Sequence, residues 1–129
     1  MILIKYIFIL LNYILLEFCY LYYTNKQYKG NFLSIQNHRE VVYRFFPYAI
    51  ICYIILICTY WYFVLQNIHK KSYHDIFIAS TILAIAIYGV YNLTNLTTFI
   101  KNNVSLAIQD IFWGVFIFNY IGIISKSIL

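Results

Sequence analysis

Apolar residues fall into four long blocks, separated by stretches where Lys, Asn, Gln and His gather. The blocks run from about Ile2 to Tyr22, Phe45 to Leu65, Ile76 to Leu96 and Ser105 to Ile124. Each holds about 20 residues, which a helix rising roughly 1.5 Å per residue needs to cross a hydrocarbon layer of roughly 30 Å. Their β-branched content would suit strands in water. In lipid, however, every backbone donor and acceptor must be satisfied within the protein, and runs this continuous lack the alternation of a barrel strand. Helices are therefore expected. The pattern predicts an all-α membrane protein, with a single domain over residues 1–129 built as a bundle of four transmembrane helices.

The first block resembles a secretory signal in position only. Its apolar stretch is too long, it contains Asn12 and Glu17, and no small-residue cleavage site follows, so it reads as a retained first span. The longest loop is expected over about Tyr23–Arg44, the second over Gln66–Asp75 and the third over about Thr97–Val104. With four spans, Lys5, Lys70, Lys71 and Lys126 share one face, and Lys26, Lys29, Arg39, Arg44 and Lys101 share the other. Orientation follows such differences in Lys and Arg, and one residue does not set it. Pro47 stands near the start of the second span, where a helix tolerates proline. Asn92, Asn95 and Asn103 each open a glycosylation sequon. Two of the three lie at or inside the membrane boundary, which argues against modification.

Composition agrees with this class. Of the 129 residues 64% are hydrophobic and only 10% charged, with a mean hydropathy of +0.76. Soluble domains carry about 25% charged residues, so no water-soluble catalytic domain fits beside the spans. The net charge of +5 is spread thinly over the loops. Nucleic-acid binding wants a clustered basic face, whereas anionic lipid headgroups attract a diffuse one. Membrane lipids are the expected partners, together with a second copy of the chain or another membrane protein. Cys19, Cys52 and Cys58 form no paired or metal-ligand spacing and are expected to be buried thiols acting as small hydrophobes. His69 and His74 are five apart, off a single helical face, and no metal set or cofactor motif is present. Tyr6, Tyr13, Tyr20, Tyr22, Tyr23, Tyr60, Trp61 and Tyr62 read mostly as interfacial aromatic belts.

The informative residues are the polar ones inside the apolar blocks. Glu17 lies near the end of span one, Arg44 at the start of span two, Asn92 and Asn95 near the end of span three, and Asp110 near the start of span four. Because successive spans alternate in direction, all five come to a similar depth in one leaflet. The opposite half offers only Asn12 and Asn119, nearer mid-depth. Asn92 and Asn95 are three apart, as are Asp110 and Trp113, so each pair shares a helix face. Gly114 beside Trp113 would let a neighbouring helix approach closely. Two readings stay open. Asn and Thr side chains serve as interhelical glue at about 0.6 kcal/mol each. Alternatively the cluster is a site, a reading favoured for Glu17 and Asp110, because a charge at mid-membrane costs about 2.5–3.5 kcal/mol on insertion scales.

Two of these stretches, Tyr91-Asn92-Leu93-Thr94-Asn95 and Asp110-Ile111-Phe112-Trp113-Gly114, resemble the Y-D-L-T-N and D-x-x-W-G motifs of an uncharacterised family of bacterial four-span membrane proteins, domain of unknown function 2177. The likeness is specific over about residues 88–114. Glu17 with Tyr20 loosely matches an acidic and aromatic pair in the family's first span. The resemblance implies a four-span bundle with its site on the hairpin of spans three and four. One position departs from the motif: Asn92 stands where the family has aspartate, which removes an ionisable group.

Three functions compete. The first is a non-catalytic protein whose cluster, with Asn92, Thr94, Asn95, Asp110, Trp113 and Arg44 as binding residues, holds a lipid headgroup, an ion or a partner helix. The second is a lipid-modifying enzyme with Glu17 or Asp110 as general acid or base. No nucleophile, metal set or phosphate loop accompanies them, which ranks this reading lower. The third is a small transporter or channel, for which one-sided polarity would require an oligomer.

Overall fold

The computed structural model describes residues 1–35 and 47–129. Four helices are long and apolar enough to span a membrane: α1 (Ile2–Ile35), α2 (Pro47–Lys70), α3 (Tyr73–Thr98) and α4 (Val104–Ile128). No strand occurs among the described residues. The chain is a multi-pass membrane protein with four candidate spans, as the hydropathy pattern predicts.

The departure is at α1. The expected loop from Tyr23 is helical through Ile35, which makes α1 34 residues long. At 1.5 Å per residue it measures about 51 Å, well beyond a hydrocarbon core of roughly 30 Å. A fall in hydropathy marks where a helix leaves lipid, and it need not mark where the helix ends. Side chains tie the extension down: Gln27 accepts from Gln109, and Asn31 bonds both Asn102 and the Asn103 backbone N–H.

Two helices contain a wider, π-helical turn, at Trp61–Leu65 in α2 and Ile85–Gly89 in α3. Such a turn inserts one residue and rotates everything beyond it by about 100° around the axis. The α3 turn holds Tyr88 and precedes Asn92, so it re-aims both. After the α2 turn the chain reverses quickly. Asn67 takes left-handed backbone angles (φ 56°), and a short 3₁₀ turn, Ile68–Lys70, follows. Lys71 Nζ donates to the carbonyls of Phe63 and Val64, which the wide turn leaves free, and Lys126 Nζ donates to those of Ile68 and Lys71. Ser72 and Asp75 form a reciprocal capping box that starts α3.

The α3–α4 pair has the most extensive helix contact, and α1 packs mainly on α4. The first part of α2, from Pro47, makes little contact with the other described helices until Tyr60, whose hydroxyl donates to the Phe118 carbonyl at 2.6 Å. Large apolar side chains such as Leu15, Phe18, Ile55, Phe77, Ile82 and Phe112 point outward, as suits a lipid solvent. With lipid as apolar as the core, helices associate through close fit and hydrogen bonds. Gly114 and Gly122 supply the fit: a Cβ at Gly114 would lie 2.3–2.7 Å from the Tyr88 ring, and one at Gly122 would lie 2.7 Å from a methyl of Ile76.

Cys19, Cys52 and Cys58 are exposed on lipid-facing surfaces, not buried as expected. A span that is apolar all round gives no periodicity to separate its inner face from its outer one. Tyr13 and Tyr60 are likewise core residues and not belt residues, whereas Tyr22 and Tyr23 are exposed.

The glycines can be ranked by experiment. Gly114→Ala is expected to destabilise by about 1–3 kcal/mol, the usual range for overpacking, because the ring root of Tyr88 cannot step aside. Gly122→Ala, whose closest contacts are the Ile76 γ-methyl at 2.7 Å and the Tyr60 and Ser80 oxygens at 3.0 and 3.1 Å, should cost somewhat less, and Gly89→Ala, 3.6 Å from Ile85, should be nearly neutral. Reversible unfolding of the three variants in one detergent checks the order.

Candidate functional site

The buried face of α1 is one stripe: Tyr6, Ile9, Tyr13, Glu17, Tyr20, Thr24 and Tyr28. The steps of three, four and four repeat every eleven residues, about 3.67 per turn, so the stripe stays on one side of a nearly straight helix. Its far half meets α3 and α4 in a cluster of polar and aromatic side chains.

Glu17 is 9% exposed although it lies within the apolar run. Its Oε1 accepts from Trp113 Nε1 at 3.0 Å and from the Tyr88 hydroxyl at 3.4 Å. Asp110 Oδ2 accepts from Asn92 Nδ2 at 2.7 Å, and Oδ1 from the Tyr28 hydroxyl at 3.3 Å. The Tyr20 and Tyr28 hydroxyls are bonded to each other. A hydroxyl has one proton, and that of Tyr28 goes to Asp110, so Tyr20 is the donor in this pair. Tyr20 also stacks on Trp113, with centroids 4.3 Å apart and planes 3° from parallel. Asn92 Nδ2 bonds the Tyr88 carbonyl as well, at 2.8 Å.

The contacts close on themselves. From Glu17 the path runs through Trp113, Tyr20, Tyr28, Asp110, Asn92 and Tyr88 and returns to Glu17. Seven residues from three helices form a ring, closed through the Tyr88 backbone carbonyl, that holds two carboxylates, and the partners of both carboxylates in these bonds are uncharged. Asp110 therefore serves the ring and does not cap its helix. Capping of α4 falls to Asn103, whose side chain accepts from the Leu106 N–H.

Of the residues singled out in the sequence, Glu17, Asn92, Asp110 and Trp113 meet. Asn95 is half-buried with no side-chain hydrogen bond to the described residues, and Thr94 and Tyr91 face outward. Arg44, and with it any pairing with Glu17, lies outside the described residues. Asn12 bonds only the Phe8 carbonyl on its own helix, while Asn119 reaches Thr81 across α3 and α4. No group of three or more metal-ligating side chains occurs among the described residues.

Tyr28 and Tyr88 were not legible as site residues. Tyr88 stands four residues before Asn92 and so shares its face, a signal the sequence carried. Tyr28 lies beyond the fall in hydropathy at Tyr22, in a stretch whose composition reads as loop.

The model of a family described as a predicted membrane protein, DUF2177, matches residues 2–126. The chain belongs to this family. No curated protein and no solved structure matches it. Membership in DUF2177 agrees with the four-span fold, and the family's description names no activity. Asn92 donates to Asp110. A carboxyl group in its place would need to hold a proton to make the same bond.

A double-mutant cycle on Asn92→Ala and Asp110→Ala measures what the ring's shortest charge-assisted bond contributes. Bonds to charged groups contribute about 1.5–3 kcal/mol, against about 0.6 for ordinary interhelical bonds in membranes. A coupling near 1.5 kcal/mol or above is expected. A value at or below about 0.6 kcal/mol would reduce the contact to ordinary glue.

Proposed function

We propose that this DUF2177 protein is a non-catalytic membrane protein whose ring binds the amine-bearing head of a membrane lipid. The observation that carries the reading is the pair of carboxylates from two helices, set near hydrocarbon depth, whose hydrogen-bond partners among the described residues are all neutral. Charge in a low dielectric calls for a counter-charge nearby. An ammonium group supplies it, with three N–H donors for two carboxylates when the amine is primary. The rings of Tyr20, Tyr28 and Trp113 favour the same ligand, since aromatic faces attract cations by about 0.5–2 kcal/mol each.

An approach exists. A hollow of about 580 Å³ is lined by Lys26, Gln27, Asn31, Lys101, Ser105 and Gln109, so that its two ammonium groups suit the phosphate of a lipid head and its amides the rest. Gln27 and Gln109 are the sequence neighbours of Tyr28 and Asp110. A lipid head entering from the interface would meet the hollow first and the ring below it. Thr94 and Asn95, on the same helix as Asn92, would be secondary contacts at most, since only Asn92 faces the ring.

The test is lipid retention in native mass spectrometry, with the protein released from bilayers of equal phosphatidylethanolamine and phosphatidylglycerol. Wild type should retain phosphatidylethanolamine preferentially, by about tenfold, equivalent to about 1.4 kcal/mol. Glu17→Gln/Asp110→Asn should lose the preference while remaining folded. Equal retention of both lipids by wild type would sink the reading. Total lipid extracts from cells expressing the two forms at matched levels should be identical; a species present only with wild type would turn the case toward a lipid-modifying enzyme.

A further inference from the structure

Between α1 and α2 the bundle leaves an apolar cleft of about 180 Å³. One wall is α1 from Tyr6 to Tyr13, the other is α2 around Ile57 and Trp61, and Phe118 of α4 forms the floor. The lining presents almost no polar surface. Tyr13 marks its end, and one turn further along the same stripe of α1 stands Glu17. The cleft and the ring are thus two ends of one surface, apolar at Tyr6 and ionisable at Glu17.

We propose that the cleft seats the hydrocarbon chain of the lipid whose head the ring holds, so that one amphiphile lies along α1 from Glu17 towards Tyr6. This inference rests on the headgroup reading above. Tyr6 and Glu17 are eleven residues apart, about 16 Å along a helix, close to half of the roughly 30 Å hydrocarbon layer and so to the reach of one lipid chain. The volume argues against a partner helix. A helix with its side chains is about 10 Å across and would need several times this space over the two turns from Tyr6 to Tyr13. Water is unsuited too, because a buried water needs two or more polar partners. A chain anchored by its head fills the space with matched apolar surface and leaves the loosely held first part of α2 as the outer wall.

The experiment separates the tail from the head. Leu10 and Ile57 line the cleft and are 37% and 38% exposed, so phenylalanine at both fills the space without entering the packed core. Ile14→Phe, on an exposed position of α1 outside the cleft, is the control. Retention of dioctanoyl and dipalmitoyl phosphatidylethanolamine is compared by native mass spectrometry for wild type, Leu10→Phe/Ile57→Phe and the control.

Wild type and control should prefer the long-chain lipid by about tenfold. The filled variant should hold the short-chain lipid as wild type does and lose most of the long-chain preference. An unchanged long-chain preference in the filled variant overturns the inference and leaves the headgroup reading intact. Loss of short-chain binding in the filled variant also overturns it, since the substitutions would then act on the head. If wild type shows no selectivity for phosphatidylethanolamine over phosphatidylglycerol at either chain length, the headgroup reading fails and the inference falls with it.

Discussion

Two carboxylates placed in hydrocarbon set the terms for the rest of the structure. Each must find donors without help from water, and the donors come from other helices: Trp113 and Tyr88 for Glu17, Asn92 and Tyr28 for Asp110. Satisfying them fixes how α1, α3 and α4 lie against one another. Gly114 is the steric counterpart of the same requirement, because Tyr88 reaches Glu17 only through the space where a larger residue would stand. The π-helical turn in α3 belongs to the same set, since it directs Tyr88 and Asn92. A loosely attached first part of α2 is compatible with this plan: the ring takes no side chain from it.

The number of spans and their rough limits were legible because lipid demands long apolar helices and little else yields such blocks. The convergence of Glu17, Asn92 and Asp110 was legible from chain direction and depth alone. What could not be read was facing. In a soluble helix the apolar stripe marks the inside, but here apolar residues surround every span, so Cys19, Cys52 and Cys58 could not be assigned a side. Asn95 shows the same limit from the polar direction. Its spacing from Asn92 was right for a shared face, yet Asn95 lacks the partners that Asn92 has. Tyr28 was hidden by a boundary rule, as hydropathy drops at Tyr22 while the helix continues to Ile35.

Ring and cleft also differ in kind. The ring is specific in direction, with named donors meeting named acceptors, and it orders three helices whether or not a ligand is present. The cleft is specific only in shape. Joining the two on one stripe of α1 sets directional groups at one end and a shape-tolerant apolar surface at the other, an arrangement that in the proposed reading suits molecules with a constant head and variable chains. The eleven-residue repeat keeps both ends on the same side of the helix over its length.

The ring also constrains how the chain is made. Its longest links join residues 96 and 82 positions apart, Glu17 to Trp113 and Tyr28 to Asp110, so the earliest made of these four spans finds its partners in the latest made of them. Until α4 inserts, Glu17 sits in lipid without its indole donor. The strongly apolar sequence around it, from Ile2 through Leu16, is what can hold α1 in the membrane through that interval. Synthesis thus passes through a half-built bundle with an unmet acidic group, and the arrival of α4 closes it. A nascent chain that stalls before Asp110 carries an exposed polar surface within the bilayer, the kind of feature that membrane quality control is suited to detect.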